Sequence, residues 1–119
     1  FAFDSVEQIF AALEADGSGW AMAQLATLST KSPQSLKVTL RQLRLGATQP
    51  SFADNMALEY RLGGRVVRTH DFLEGVRAVV VDKDNRPNWS PADLSGVSEA
   101  DLDGLFAPLP DDQAWTPLD

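Results

Sequence analysis

Few side chains in this 119-residue sequence are of a type and spacing suited to chemistry. The first is Lys83, flanked by Asp82 and Asp84 and followed by Pro87 and Trp89. A lysine held at a helix end, just ahead of a proline turn and a tryptophan, is an unusual arrangement for a plain packing helix. Its ammonium also complements the negative end of the helix dipole, which needs no ligand. Two basic ridges come next, Lys37/Arg41/Arg44 and Arg61/Arg65/Arg68, each recurring at helical spacing. They suit phosphates or an acidic protein surface, or else form a solvated face with paired charges.

Acid–base equipment is sparse. Glu59 stands beside Tyr60 and Arg61 without a second group at the spacing proton transfer requires, so it reads as an ion-pair partner of an arginine. His70 is the single imidazole, and no G-x-S-x-G accompanies it; it reads as a cap at a helix end. The sequence has no cysteine, which excludes disulfides, thiolate metal sites and a cysteine nucleophile. One histidine without clustered carboxylates gives no expected metal site. Asp16-Gly17-Ser18-Gly19 opens like a calcium loop, but Trp20, Met22 and Leu28 follow where ligands would be needed, so it reads as a turn. Trp20, Trp89 and Trp115 read as packing anchors, with Trp89 also placed to shelve a ligand.

The formal net charge is -7, but its distribution is uneven. All ten Lys and Arg fall between Lys31 and Arg86, a window with six acids, and both flanks contain acids alone. A basic middle in an acidic chain points to a phosphate-bearing ligand or an acidic partner, not to a polyanion groove. Nucleic acid is disfavoured on the same count. No apolar run is long enough to span a bilayer and no signal peptide opens the chain, so neither membrane insertion nor secretion is expected. The chain starts at Phe1 rather than at methionine, which reads as a start within a longer polypeptide.

The elements that must hold these residues are helical. Ser5 caps a stripe of Val6, Ile9, Phe10 and Leu13. A second helix runs from about Gly19 to Thr30 with Met22, Leu25 and Leu28 inward. Ser32 caps a third with Pro33 at its first position, Leu36, Leu40 and Leu43 on one face, and Gly46 at its end. Ser51 opens a fourth through Met56, Tyr60 and Val67, in which Gly63-Gly64 marks a break or a close backbone approach. Asp71 caps a fifth, Glu74 reaches back to it, and Phe72, Val76, Val79 and Val80 form its apolar face, with Gly75 beside it allowing a close helix contact. A short helix around Leu102, Leu105 and Phe106 precedes an acidic tail with Pro108, Pro110 and Pro117. No strand of convincing length is present. The expected fold is all-α, with about five to six helices divided into a helical region 1–89 and a short helix plus acidic Pro-rich tail over 90–119.

The run D-F-L-E-G-V-R-A-V-V-V-D-K-D-N-R-P-N-W from Asp71 to Trp89 resembles the C-terminal part of 3-hydroxyisobutyryl-CoA hydrolases and their relatives in the enoyl-CoA hydratase/isomerase (crotonase) superfamily. Ser32 to Leu43 and Leu58 to Leu62 carry the resemblance upstream, in the right order, so that it covers roughly Ser5 to Trp89. The resemblance implies the helical C-terminal part of a crotonase-like enzyme, lacking the β/α core. It implies that catalytic residues belong to that N-terminal core, so none is assigned here. It further implies thioester hydrolysis of a branched 3-hydroxyacyl-CoA in valine catabolism, with coenzyme A as part of the substrate and no separate cofactor. Lys83 inherits contact with the 3′-phosphate and adenine end of CoA. The implied partners are the acyl-CoA, the N-terminal core and further copies in a homo-oligomer; the implied location is cytoplasm, or mitochondrial matrix in a eukaryote. An enoyl-CoA hydratase or isomerase, or a helical interaction module without a ligand, are the readings that stay open.

Overall fold

The computed structural model describes residues 2–116. It contains six α-helices, α1 (Val6–Asp16), α2 (Gly19–Ser29), α3 (Pro33–Thr48), α4 (Phe52–Val66), α5 (His70–Val76) and α6 (Glu99–Phe106). A π-helical turn over Arg77–Val81 continues α5, and a 3-10 turn lies at Leu94–Gly96. Among the described residues there is no strand, so the fold is all-α as the sequence indicates. No helix among them is long and apolar enough to cross a membrane.

Helix starts follow the hydroxyl signals. Ser5, Ser18, Ser32, Ser51 and Ser98 each take a first-turn N–H on their side chains, satisfying donors a helix cannot. Gln8 Oε1 completes the first cap by accepting from Asp4 N–H at 2.9 Å. Pro33 occupies the first position of α3, where its missing N–H costs nothing. Gly17, with φ 66, ends α1 by passing through the left-handed region, and its N–H reaches Leu13 carbonyl.

Two small cores result. Ile9, Leu13 and Ala21 pack α1 on α2, with Leu25, Leu28 and Leu40 against them. Val38, Leu58, Leu62, Val97, Leu102 and Phe106 join α3, α4 and α6. Leu58 is fully buried, and a leucine so placed contributes about 2 kcal/mol of apolar transfer. The 99–106 helix is therefore part of the main core.

Several apolar faces turn out differently from the sequence expectation. Met22 is exposed and Ala21 takes the inward place on α2. Leu43 is exposed, while Val38 enters the core; Gly46 lies within α3, which runs on to Thr48. On α4 the buried positions are Leu58 and Leu62, whereas Tyr60 and Val67 face out. Gly63-Gly64 neither breaks α4 nor meets other atoms: a Cβ at either would have nothing within 4 Å. The radius of gyration is 16.2 Å, against about 13.5 Å for a closely packed chain of this length. The helices spread as a layer instead of closing on themselves.

Candidate functional site

The segment from Thr69 to Trp89 is built around two polar nodes. Thr69, not Asp71, caps α5: its hydroxyl accepts from Phe72 N–H at 3.4 Å. Asp71 is instead buried inside the first turn. Its Oδ2 accepts from the Ser32 hydroxyl, and its Oδ1 accepts from Ser90 N–H at 2.9 Å while lying 2.9 Å from His70 Nδ1. A carboxylate can do this because it offers about four lone-pair directions, more than one helix cap uses. Ser32 thus caps α3 by accepting from Ser35 N–H and donates to α5 at the same time. His70 is the first residue of α5, not the end of α4, and the Ser32 hydroxyl bonds to Asp71 and not to the imidazole. The trio is a structural tie, with no nucleophile activated by a base.

The second node is Arg77. Its Nε lies 3.0 Å from each Glu74 carboxylate oxygen, and its Nη2 donates to Glu74 Oε1 at 2.5 Å. Nη1 donates to both Asp82 and Asp84, each at 2.8 Å, and Nη2 also reaches Arg86 carbonyl at 3.2 Å. Glu74 accepts Asn88 N–H at 3.1 Å as well, so it fastens the returning chain and does not reach back to Asp71. The Arg77 guanidinium, helped by Asn88 N–H, holds the Glu74 carboxyl down at about 2. Asp84 is lowered by the same guanidinium, and Arg77 is raised by its three carboxylate partners.

The backbone within this clamp is unusual. Over Arg77–Val81 it widens into a π-turn, Asp82 N–H bonds to Arg77 carbonyl at 2.7 Å, and Asn85 N–H returns to Ala78 carbonyl at 2.9 Å. Lys83 and Asn85 adopt left-handed φ values of 55 and 54. Asparagine tolerates that region; lysine enters it at a cost of order 1 kcal/mol. Lys83 is exposed and, among the described residues, has no ion-pair partner. Trp89 folds back onto α5: the indole N–H donates to Thr30 carbonyl at 3.0 Å, and a Cβ at Gly75 would lie 3.5 Å from the ring. Gly75 therefore makes room for a tryptophan, not for another helix.

The apolar face of this segment has no cover. Leu73, Val79, Val80 and Val81 are 58 to 68% exposed, and Phe72 and Val76 lie open beside them. On α3, Leu36, Leu40 and Leu43 with Phe10 and Leu28 line an open apolar hollow of about 410 Å³. The valine face lies open and Leu43 with it, while Leu36 and Leu40 are half-buried by the described residues.

The basic ridges are spent mainly inside the fold. Lys37 pairs with Glu7 at 2.7 Å and lowers its carboxyl. Arg41 donates to Asp103 at 2.6 Å and stacks 5.0 Å over Phe106. Arg44 binds Asp4 and the Phe3 carbonyl. Arg65 caps the end of α6 through the carbonyls of Leu105, Ala107 and Pro108. Arg61 has a buried Nε without a partner among the described residues. Glu59 is exposed and, among the described residues, pairs with no arginine. Lys83 is exposed without an ion pair among the described residues, as are Lys31, Arg68 and Arg86; Arg77 is the residue sequence reasoning passed over, and Asp71 the one it misread as a cap. The acids at 74, 82 and 84, three, five and seven residues from Arg77, were the signal for the first.

Residues 1–106 match the family model described as enoyl-CoA hydratase/isomerase. Mitochondrial 3-hydroxyisobutyryl-CoA hydrolases of Gallus gallus and Homo sapiens are 50% and 47% identical over 109 residues, which make up 92% of this chain and 28% of each relative. The chain thus spans little more than a quarter of the length of the curated relatives it matches. Among solved structures, a carnitinyl-CoA dehydratase from Mycobacterium thermoresistibile superposes with TM-score 0.85 at 38% identity, covering 93% of this chain and 32% of that one. An enoyl-CoA hydratase from Rhodobacter sphaeroides 2.4.1 gives 0.86 at 36% identity, covering 98% and 34%.

Proposed function

Since the chain belongs to the enoyl-CoA hydratase/isomerase family, we propose that it is the C-terminal helical part of a 3-hydroxyisobutyryl-CoA hydrolase. The observation that carries this reading is the 43 to 50% identity to enzymes of that name across almost the whole chain. The reaction adds water to a thioester carbonyl and expels the CoA thiolate, leaving a free 3-hydroxy acid. Catalytic groups lie outside this segment, in the β/α core. The segment's part is to cover that core and to grip the nucleotide end of the substrate through Lys83.

Two features support the division of labour. The open stripe Leu73/Val79/Val80/Val81 and the hollow lined by Leu36/Leu40/Leu43 are apolar surface of the kind that marks a protein interface. The N-terminal core and a further copy of the enzyme are the occupants we assign to them. Lys83 stands clear of carboxylates on a clamped turn, where an ammonium meets phosphate at low reorganisation cost. The working location is the mitochondrial matrix, or the cytoplasm of a prokaryote.

The test is made on the complete polypeptide with 3-hydroxyisobutyryl-CoA, following free acid and thiol together. Equimolar release of both is expected. Lys83→Ala should raise KM for the CoA ester about tenfold, one phosphate contact, with a weaker dependence on salt than the parent shows. Hydration of an enoyl-CoA without release of thiol would replace the hydrolase with the hydratase, the activity for which the Rhodobacter relative is named.

A further inference from the structure

Lys83 lies between two aspartates, and by sequence alone those carboxylates oppose any phosphate it binds. In the fold neither is free to do so. Both Oδ2 atoms are bonded to one nitrogen, Arg77 Nη1, at 2.8 Å each. The opposite edge of the same guanidinium is occupied by Glu74, itself fastened to Asn88 N–H, and by Arg86 carbonyl. Asp84 in turn holds Arg86 N–H at 2.9 Å. One arginine therefore ties the end of α5 to both flanks of residue 83 and to the outgoing chain. The remaining residue of the trio, Lys83, is left exposed at φ 55. A lysine in that conformation without a glycine-like reason is held there by its surroundings, and sites of this kind cluster where ligands are bound.

We propose that Arg77 is the positioning residue of the nucleotide subsite: it draws Asp82 and Asp84 to one side of the turn, fixes the left-handed backbone at residue 83, and so presents the Lys83 ammonium unopposed to a CoA phosphate. The proposal rests on the reading of Lys83 given above. Arg77 itself touches no substrate; its guanidinium is saturated by Glu74, Asp82, Asp84 and Arg86. Its lowering of Glu74 and Asp84 keeps both carboxylates charged further into acid than they would otherwise be. Removing it frees two carboxylates within two residues of Lys83 and lets the turn relax. Phosphate affinity then falls through repulsion and through loss of geometry.

The experiment compares, in the complete enzyme, KM for 3-hydroxyisobutyryl-CoA with KM for the matching pantetheine thioester, which lacks the nucleotide and its phosphates. The ratio of the two reads the nucleotide subsite alone. Arg77→Ala should shift that ratio by about tenfold, the size expected for one charged contact. The double variant Arg77→Ala/Lys83→Ala should shift it no further than Lys83→Ala does, because the two act through one contact. Arg77→Lys, which keeps a charge but cannot reach three carboxylates at once, should show the same direction and serves if the alanine variant fails to fold. A Lys83→Ala ratio equal to the parent's defeats the CoA reading itself. A shift for Lys83→Ala with none for either Arg77 variant defeats only the role of Arg77. Losses that fall equally on both thioesters, leaving the ratio unmoved, reduce Arg77 to a structural residue and overturn the proposal.

Discussion

Replacing Asp71 by asparagine isolates the chemistry of the buried node from its shape. The Asp71 side chain is 1% exposed, and its two oxygens serve three neighbours from three parts of the chain: Ser32, His70 and Ser90. In Asp71→Asn the remaining oxygen keeps Ser90 N–H, at the strength of a neutral hydrogen bond. The new amide group faces Ser32 Oγ, which already accepts Ser35 N–H at 3.2 Å and then has to turn its own proton elsewhere. Charge-assisted bonds contribute about 1.5–3 kcal/mol each and neutral ones about 1. Weakening one bond and misdirecting another therefore costs about 2–3 kcal/mol. Asp71→Ala, which strands the Ser90 N–H and Ser32 O–H, costs about 3–5. Unfolding in urea, followed by far-ultraviolet circular dichroism and tryptophan emission, measures both; Trp89 reports the same neighbourhood through its bond to Thr30. A melting point lower by about 8 °C corresponds to the asparagine loss in a chain of this size. If Asp71→Asn lies within about 0.5 kcal/mol of the parent, the carboxylate charge is not what holds α3, α5 and the Ser90 segment together.

Two further outcomes follow from particular atoms. A Cβ on Gly96 would sit 2.7 Å from Pro91 Cβ, part of a rigid ring, so Gly96→Ala should destabilise the chain by about 1–3 kcal/mol, and an unchanged urea midpoint would refute the contact. Glu74 titrates at about 2 in the fold against an ordinary 4.5, so its contribution is fully present above about pH 4.5 and is lost as pH falls towards 2. Protection of the Asn88 amide from hydrogen exchange, relative to its intrinsic rate at each pH, should fall across that acid window in the parent and show no such step in Arg77→Ala.

What the sequence made legible was local. Hydroxyl residues at 5, 32 and 51 mark helix starts because an N-cap needs only its own first turn. The proline at 33 and the left-handed glycine at 17 are equally local. Helical stripes were correct as stripes, yet Met22 was assigned inward and lies outward, and Leu43 and Val79 find no cover among the described residues. Periodicity tells which face seeks burial, and it carries no information about whether the burying surface is in the same chain. Asp71 was misread for a related reason. Its spacing to Glu74 satisfies a capping box, but its partners Ser32 and Ser90 lie 39 and 19 residues away. Lys83 was singled out by its place and by the resemblance, whereas the pairing of its flanking acids with Arg77 required the fold.

The exposed valines carry a consequence for how this segment avoids aggregation. Val79-Val80-Val81 is a β-branched run, which by intrinsic preference favours an extended strand over a helix. Left loose on a surface, such a run is the kind that templates intermolecular sheets. Here charged residues bracket it at Arg77 and Asp82, and those two are bonded to each other at 2.8 Å across the π-turn. The ends of the run are thereby stapled at helical separation, too close for the strand it would otherwise become. The arginine that orders the lysine turn is, for the newly made chain, also its gatekeeper against aggregation.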